Sequence, residues 1–377
     1  MCSKLAILIA AVAAALSAQE TPLDPHNSVQ INLPPDAPLT LVSENLGESH
    51  VSPRGSAVVL DLDVALTLHN SSPNRVRGVT LLVTAQEVTP GGKASVAVPS
   101  LDVAPGLNFP VRINLRLLRP SQMGAGPLVR VNLDGVLFQD LSFYGPNRLD
   151  SRRSMTAWEL EAQRDRKYFK SILASRGIEG LKQAVLESLN RQAERPRLDV
   201  QVIRGHAVAS SALPEHSAQF AFLRFPDSPV DPLEGYAQIS GNEAREPRIE
   251  VQNRSPKPVR YVEIGWIVKD SQGRQYMAAS VPNADAELFL PPGRTGKVLQ
   301  DTSLRFSRGS DKISIAGITG FVSQVEFADG KVWIPNRESL ANAQLLGILA
   351  PSPEEQRLTD VYRKKGPKAL VDELAKF

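Results

Sequence analysis

The chain has 377 residues, 42% hydrophobic and 22% charged, so it has the apolar mass for cores in two or three domains and is not a disordered polymer. Basic residues number 43 against 40 acidic ones, a balance that excludes nucleic acid or an anionic membrane surface as the main partner. Prolines, 29 of them, outnumber the 25 glycines, which points to strands and turns rather than long helices.

The first residues read as a targeting segment. Lys4 supplies a positive start, Leu5 to Leu16 an apolar run, and Ala15-Leu16-Ser17 the small residues of a cleavage site, so residues 1–18 are expected to be a signal peptide. The run is too short to span a bilayer, and no later run is long enough, so the cleaved chain is not expected to be an integral membrane protein. Cys2 is the only cysteine and precedes the apolar run, so it is not a lipoprotein cysteine. Cleavage removes it and with it any disulfide, thiolate chemistry or cysteine metal site. Export without disulfides points to a bacterial envelope, periplasmic or extracellular. Residues 19–28 read as a disordered lead.

From 29 to about 150 the apolar residues alternate. Leu60, Leu62, Val64, Leu66 and Leu68 form one run, Val111, Ile113, Leu115 and Leu117 a second, and Val129, Val131 and Leu133 a third. A period of two puts these side chains on one face of a strand, and one dry face marks antiparallel sheet. Turn signals such as Pro105-Gly106 separate the runs. Helical spacing follows: Thr156 with Glu159 reads as a capping box, and Trp158, Ala162, Phe169, Ile172 and Leu173 carry a helix that Gly177 ends. Ile178, Leu181, Val185 and Leu189 carry a second helix, giving a helical hairpin and linker over 151–196. The basic residues Arg152, Arg153, Arg164, Arg166, Lys167 and Lys170 interleave with Glu159, Glu161 and Asp165, which reads as a solvated helix face. Strand alternation resumes over 197–340, as in Val262, Ile264, Trp266 and Val268, with Trp266 expected in a core. Over 341–377, Ser352 and Glu355 make a second capping box with Pro353 at the first helical position, and Gly366 breaks the hairpin.

The two halves align with each other. His69 to Val79 lies over Gln252 to Val262 with six of eleven residues identical, and Asn70, Ser72 and Pro73 fall on Asn253, Ser255 and Pro256. Tyr144 falls on Trp333, and Gly177 on Gly366, both 189 residues apart. Ordered matches with slowly growing spacing point to duplication. The Asn-x-Ser-Pro segments read as Asx-turns at strand ends, and Tyr144 and Trp333 as plugs at the ends of the two β regions. The expected fold is mainly β with helical segments: a tandem duplicated immunoglobulin-like β-sandwich, each copy followed by a short helical hairpin.

Val251 to Pro256, Val268 to Gly273, and Leu290-Pro291-Pro292-Gly293 follow the order strand, Asn-x-Ser turn, strand, Asp-x-x-Gly hairpin, strand, Pro-Gly corner. This resembles the bacterial immunoglobulin-like modules of the FxLYD type found in exported proteins. The likeness covers about fifty residues of the second half and, more weakly, the matching part of the first, where Gln86 stands near the expected Asp. It implies a sandwich fold and a non-catalytic role, and brings no active-site residues with it.

Chemistry is sparse. The five histidines form no metal-binding pair, no Gly-x-Ser-x-Gly elbow occurs, and no phosphate-binding glycine loop opens a helix, so no catalytic, metal or cofactor site is assigned. Asp61 and Asp63 read as a polar strand face rather than a calcium site, and Glu263, Glu326 and Asp329 as surface acids. The expected function is non-catalytic binding or a structural role in the bacterial envelope, with another envelope protein or a surface polymer as partner. The alternative is a β-sandwich hydrolase of polysaccharide or peptide acting through paired carboxylates.

Overall fold

The structure is a computed structural model describing residues 21–22, 28–86, 91–120, 127–196, 198–204, 215–282, 288–299 and 302–377. The expected signal peptide with Cys2 lies outside the described residues. The protein is mainly β and divides into two compact units, Met1–Ser151 and Arg152–Phe377.

The described strands of unit 1 are β1 (Thr21–Pro22), β2 (Val29–Asn32), β3 (Leu39–Asn45), β4 (His50–Arg54), β5 (Ala57–Asn70), β6 (Val76–Thr84), β7 (Lys93–Val98), β8 (Asn108–Pro120), β9 (Val129–Phe138) and β10 (Phe143–Tyr144). Inside the stretch expected to be a disordered lead, Thr21 and Pro22 instead pair with Val51 and His50 of β4. One sheet is built on β5, which pairs along one side with β8 and along the other with β3 and β4. The other has the order β10-β9-β6-β7, with β2 parallel to β9. The alternating residues of β5, β8 and β9 point into one apolar cluster shared by both sheets, with Leu60, Leu68 and Ile113 fully buried. Strand alternation thus becomes a two-layered core.

Unit 2 holds β11 (Asp199–Arg204), β12 (His216–Gln219), β13 (Ala221–Leu223), β14 (Val230–Ser240), β15 (Glu243–Asn253), β16 (Val259–Asp270), β17 (Gln275–Pro282), β18 (Thr295–Leu299), β19 (Thr302–Arg308), β20 (Asp311–Lys312), β21 (Ile315–Phe327) and β22 (Val332–Trp333). Its first sheet has the order β11-β19-β15-β14-β12, with β18 also on β15 and β20 on β19. Its second has the order β13-β21-β16-β17, with β22 also on β21 and β13 parallel to β21. Trp266 is buried in the core between them, edge-on to Phe220 at 4.9 Å.

The strand ends at Asn70 and Asn253 are built alike. Asn70 Oδ1 accepts from the backbone N and Oγ of Ser72, while its Nδ2 donates to the carbonyls of Asn74 and Val103. Asn253 Oδ1 accepts from the same two atoms of Ser255, and its Nδ2 donates to Lys257 and Leu290. Pro73 and Pro256 stand in the bends that follow. Both asparagines are fully buried, so each satisfies a strand end that water cannot reach.

The described α-helices are α1 (Ser151–Glu194), α2 (Arg337–Asn342) and α3 (Pro353–Leu374). Thr156 does not cap α1, as its spacing to Glu159 implies. The helix starts five residues earlier, at Ser151, and Thr156 Oγ1 donates back to the Arg152 carbonyl at 2.7 Å. Asp134 is the reason: its carboxylate accepts from Ser151 Oγ and from the backbone N–H groups of Arg148 and Leu149, fixing the chain before its first turn. Ser352 does cap α3, its hydroxyl accepting from Glu355 N at 3.0 Å. The Glu355 carboxylate does not return to the cap and binds Ser188, Arg191 and Arg337 instead.

Gly177 (φ 67°, ψ −164°) and Gly366 (φ 84°, ψ 178°) interrupt α1 and α3 in a region that only glycine adopts without strain. Both breaks let the helices fold back on one apolar cluster. Phe169, Leu181 and Val185 of α1 meet Leu358, Leu370 and Leu374 of α3 there, and each α3 residue is 189 positions after its α1 counterpart, as Gly366 is after Gly177.

The basic stretch of α1 is only partly a solvated face: Lys167 and Lys170 are exposed, and other charged residues of the stretch are not. Arg166, Glu159 and Asp165 are all buried. Arg166 binds Glu159 at 2.5 Å and Glu354 at 3.4 Å, and Asp165 binds Arg337 at 2.7 Å and Ser352 Oγ at 2.7 Å. Charged residues on α1 find complementary charges on α2 and α3, so the alternation of signs marks a helix–helix contact. Burial works against ionisation of Glu355, yet Arg337, Ser188 and Arg191 together hold its carboxyl below the usual range.

Candidate functional site

The outer face of the second sheet in unit 2 is roofed by helix and leaves a cleft of about 480 Å³. Its floor comes from Glu263 on β16, Met277 on β17, and Phe321, Ser323 and Gln324 on β21. Its roof comes from Ala157, Trp158, Glu161 and Arg164 on α1, with Leu340 of α2 and Leu349 closing one side. Arg195, just past α1, completes the charged lining.

On the floor, Glu263 and Gln324 are direct cross-strand partners in the β16–β21 register. Glu263 Oε2 accepts from Tyr261 OH at 2.9 Å, and Ser323 Oγ donates to the Glu263 carbonyl at 3.1 Å. Gln324 is only 8% exposed, and its Nε2 has no hydrogen-bond partner among the described residues. A buried amide donor left open costs about 1–3 kcal/mol, so an acceptor supplied by a ligand would recover that loss.

On the roof, Trp158, Glu161 and Arg164 recur at three-residue spacing and so lie on one stripe of α1. Arg164 is already committed: its Nη1 donates to the Pro335 carbonyl at 3.1 Å and its Nε faces Asp165 at 3.4 Å. The Glu161 carboxylate receives no hydrogen bond among the described residues. Burial pushes its pKa up to about 7; Arg164 opposes the shift, and Asp165 and Glu263 add to it.

That shift carries a stability signature. The carboxyl binds a proton more tightly folded than unfolded, where its ordinary value is 4.5, so its contribution is fully present below about pH 4.5 and is lost as pH rises through about 7. Glu161→Gln, which keeps the shape and never ionises, is expected to unfold at a higher urea midpoint than the parent chain at pH 7.5 and at the same midpoint at pH 4.5. Urea titrations at both pH values check this.

Unit 1 has a cavity of about 350 Å³ lined by Asn32, Asn132, Asp134 and Arg148, among others. Asn32 donates to Asn132 there at 3.0 Å, and Asp134 is occupied at the entry to α1. The unit 2 cleft combines an open amide, an acid without hydrogen bonds among the described residues and an aromatic side chain.

None of Asn70, Ser72, Pro73, Tyr144, Gly177, Asn253, Ser255, Pro256, Trp333 or Gly366 lines this cleft. Tyr144 packs against the first core, and Trp333 packs 6.4 Å from Phe225 in a cluster with Leu340 and Leu345. Of the acids expected at the surface, Glu263 lines the cleft and Glu326 is buried, bound by Arg260 and by Arg153 at 3.7 Å, because β22 and the start of α1 cover it. Asp329 is exposed and pairs with Lys257. Asp61 is engaged by Arg116 at 2.6 Å. Among the described residues no helix is long and apolar enough to cross a membrane, and no group of three or more His, Cys, Asp or Glu is placed to hold a metal ion.

No family model matches the chain, and no curated protein sequence matches it. Among solved structures, Northeast Structural Genomics Consortium target SoR45 matches with 11% identity and a TM-score of 0.18, over 36% of this chain and 78% of that one. A β-glucosidase from Kluyveromyces marxianus matches with 9% identity and a TM-score of 0.14, over 71% of this chain and 45% of that one. At such scores neither likeness assigns a fold or an activity.

Proposed function

We propose that this chain is an exported protein of the bacterial envelope that works by binding, and that the unit 2 cleft is where it binds. The observation that carries the reading is the cleft itself: a hollow over a sheet, lined about equally by apolar and polar groups, one of them the open Gln324 amide. Ser323 donates to a backbone carbonyl rather than to a base, so its hydroxyl is not arranged as a nucleophile.

The reading includes duplication of an immunoglobulin-like module. Three features support it: the matching hydrogen bonds of Asn70 and Asn253, the parallel strand beside β9 and again beside β21, and the bridges Val76 to Val103 and Val259 to Leu290 at corresponding places. Export is proposed from the residue pattern of 1–18. N-terminal sequencing of the protein recovered outside the cytoplasm tests it, and a chain that still begins at Met1 would refute cleavage.

The binding role is tested by passing a bacterial envelope fraction over the immobilised chain and over Ala157→Trp, which fills the cleft from the roof. Components retained by the first and not the second are the expected result. Identical retention by both would place binding elsewhere.

A second reading, a hydrolase of polysaccharide or peptide with paired carboxylates, is favoured by one observation: Glu161, raised to about 7, titrates beside Glu263. It requires hydrolysis of chromogenic glycosides or peptides that disappears in both Glu161→Gln and Glu263→Gln. The binding reading expects no turnover above the level of those variants.

A further inference from the structure

We infer that the unit 2 cleft receives a protonated primary amine between Glu161 and Glu263, whose carboxyl groups both line it. This rests on the cleft being a binding site and adds the chemistry of what it binds.

Charge is the first argument. The ionisable groups around Glu161 are Arg164 and Asp165 on its own helix, Arg195 beyond it, and Glu263 with Tyr261 on β16. The lining residues from β17, β21 and α2 (Met277, Phe321, Ser323, Gln324 and Leu340) carry no charge. Asp165 is shared between Arg164 and Arg337, and Glu355 between Arg337 and Arg191, so Arg164 and Arg195 are the cations of the lining and Arg164 is partly committed to Asp165. At Glu161 burial outweighs Arg164, with Asp165 and Glu263 adding to it, so a proton neutralises the carboxyl up to about pH 7. A ligand cation can do the same.

Geometry is the second argument. Glu161 accepts no hydrogen bond among the described residues and Glu263 accepts one, from Tyr261, so most carboxylate lone pairs are open. An ammonium brings three donors, more than any neutral ligand group of its size. Trp158 lines the same cleft, and an indole ring attracts cations. The open Gln324 amide, directly across from Glu263, calls for an acceptor next to the amine, such as a hydroxyl or carbonyl oxygen. An ammonium beside such an oxygen occurs on an amino sugar, and an alkyl diamine carries the ammonium without it.

The test is calorimetric titration of the full chain with D-glucosamine, with cadaverine and with D-glucose as the neutral control, at pH 5.5, 6.5 and 7.5. An amine is expected to bind at least about tenfold tighter than glucose. Its affinity should rise about tenfold from pH 5.5 to 6.5, because one proton leaves for each amine bound, and level off above about 7. Buffers of different ionisation enthalpy should read that proton directly. Tighter glucosamine assigns the amino sugar, and tighter cadaverine the alkyl amine. Glu161→Gln should abolish proton release and weaken binding more than tenfold, whereas Glu161→Asp keeps the charge and should keep proton release. Both variants are first matched to the parent chain by circular dichroism.

Equal binding of glucose and both amines, or amine binding unchanged in Glu161→Gln, would overturn the inference. So would silence with both amines at millimolar concentration. In that case the envelope-fraction comparison with Ala157→Trp separates the two ideas: retention lost in the variant leaves the cleft as a binding site for another chemistry, and retention unchanged removes both.

Discussion

Arg166→Met is expected to cost about 3–5 kcal/mol of the stability of unit 2. The Arg166 guanidinium is buried, binds Glu159 at 2.5 Å and Glu354 at 3.4 Å, and stacks over the Phe377 ring at 4.3 Å. Methionine fills much of the space but supplies no charge, so two buried carboxylates lose their common cation. Glu354 keeps Arg357 at 2.8 Å, and Glu159 keeps the Gln163 amide at 3.2 Å. The double variant Arg166→Met with Glu159→Leu is expected to recover at least half of the loss, because removing both partners also removes the desolvation cost. Urea unfolding followed by tryptophan fluorescence, which includes Trp158 on the same helix, measures both. A single variant within 1 kcal/mol of the parent chain would mean that water reaches these acids.

Asn253→Ala is expected to destabilise unit 2 by about 3 kcal/mol. Four hydrogen bonds of 2.7 to 2.9 Å vanish together, in a place with no exposure to solvent. Asn253→Asp should be no milder. It keeps the acceptor for Ser255 but aims a second oxygen at the carbonyls of Lys257 and Leu290, where the amide donated. Ser255→Ala should cost only about 1 kcal/mol, since the backbone N–H of that residue still reaches Asn253 Oδ1. The order Asp at least as severe as Ala, and both well above Ser255→Ala, is the result that thermal unfolding should give. An Asp variant as stable as the parent would show that the two carbonyls do not need this donor.

The strands were legible because their cause is local. Leu60 to Leu68 alternate on β5, and Val262 to Val268 on β16, since a strand with one dry face writes its period directly into the chain. The glycine breaks at Gly177 and Gly366 and the Asx-turns at Asn70 and Asn253 were legible for the same reason: backbone sign and side-chain reach over two to four residues depend on few neighbours.

The cleft was not legible. Trp158, Glu161 and Arg164 share a stripe of α1, which three-residue spacing could have flagged, but nothing local says that this stripe faces Glu263 and Gln324 across about one hundred and more positions of chain. The start of α1 was misplaced for a similar reason. Thr156 has capping chemistry, but Asp134 on β9 anchors the chain at Ser151 before that chemistry is needed.

The sequence by itself determined the mainly β character, the alternation that fills two cores, and the paired turns and glycine breaks, all set by interactions within a few residues. Only the tertiary structure decided which charges are buried. Arg166, Glu159, Asp165 and Glu326 have the composition of a wet surface and become interior because oppositely charged partners from distant segments meet them as they fold. Glu161 receives no hydrogen bond among the described residues, and burial there outweighs the nearby Arg164, which leaves its charge to be met by a proton or by a ligand.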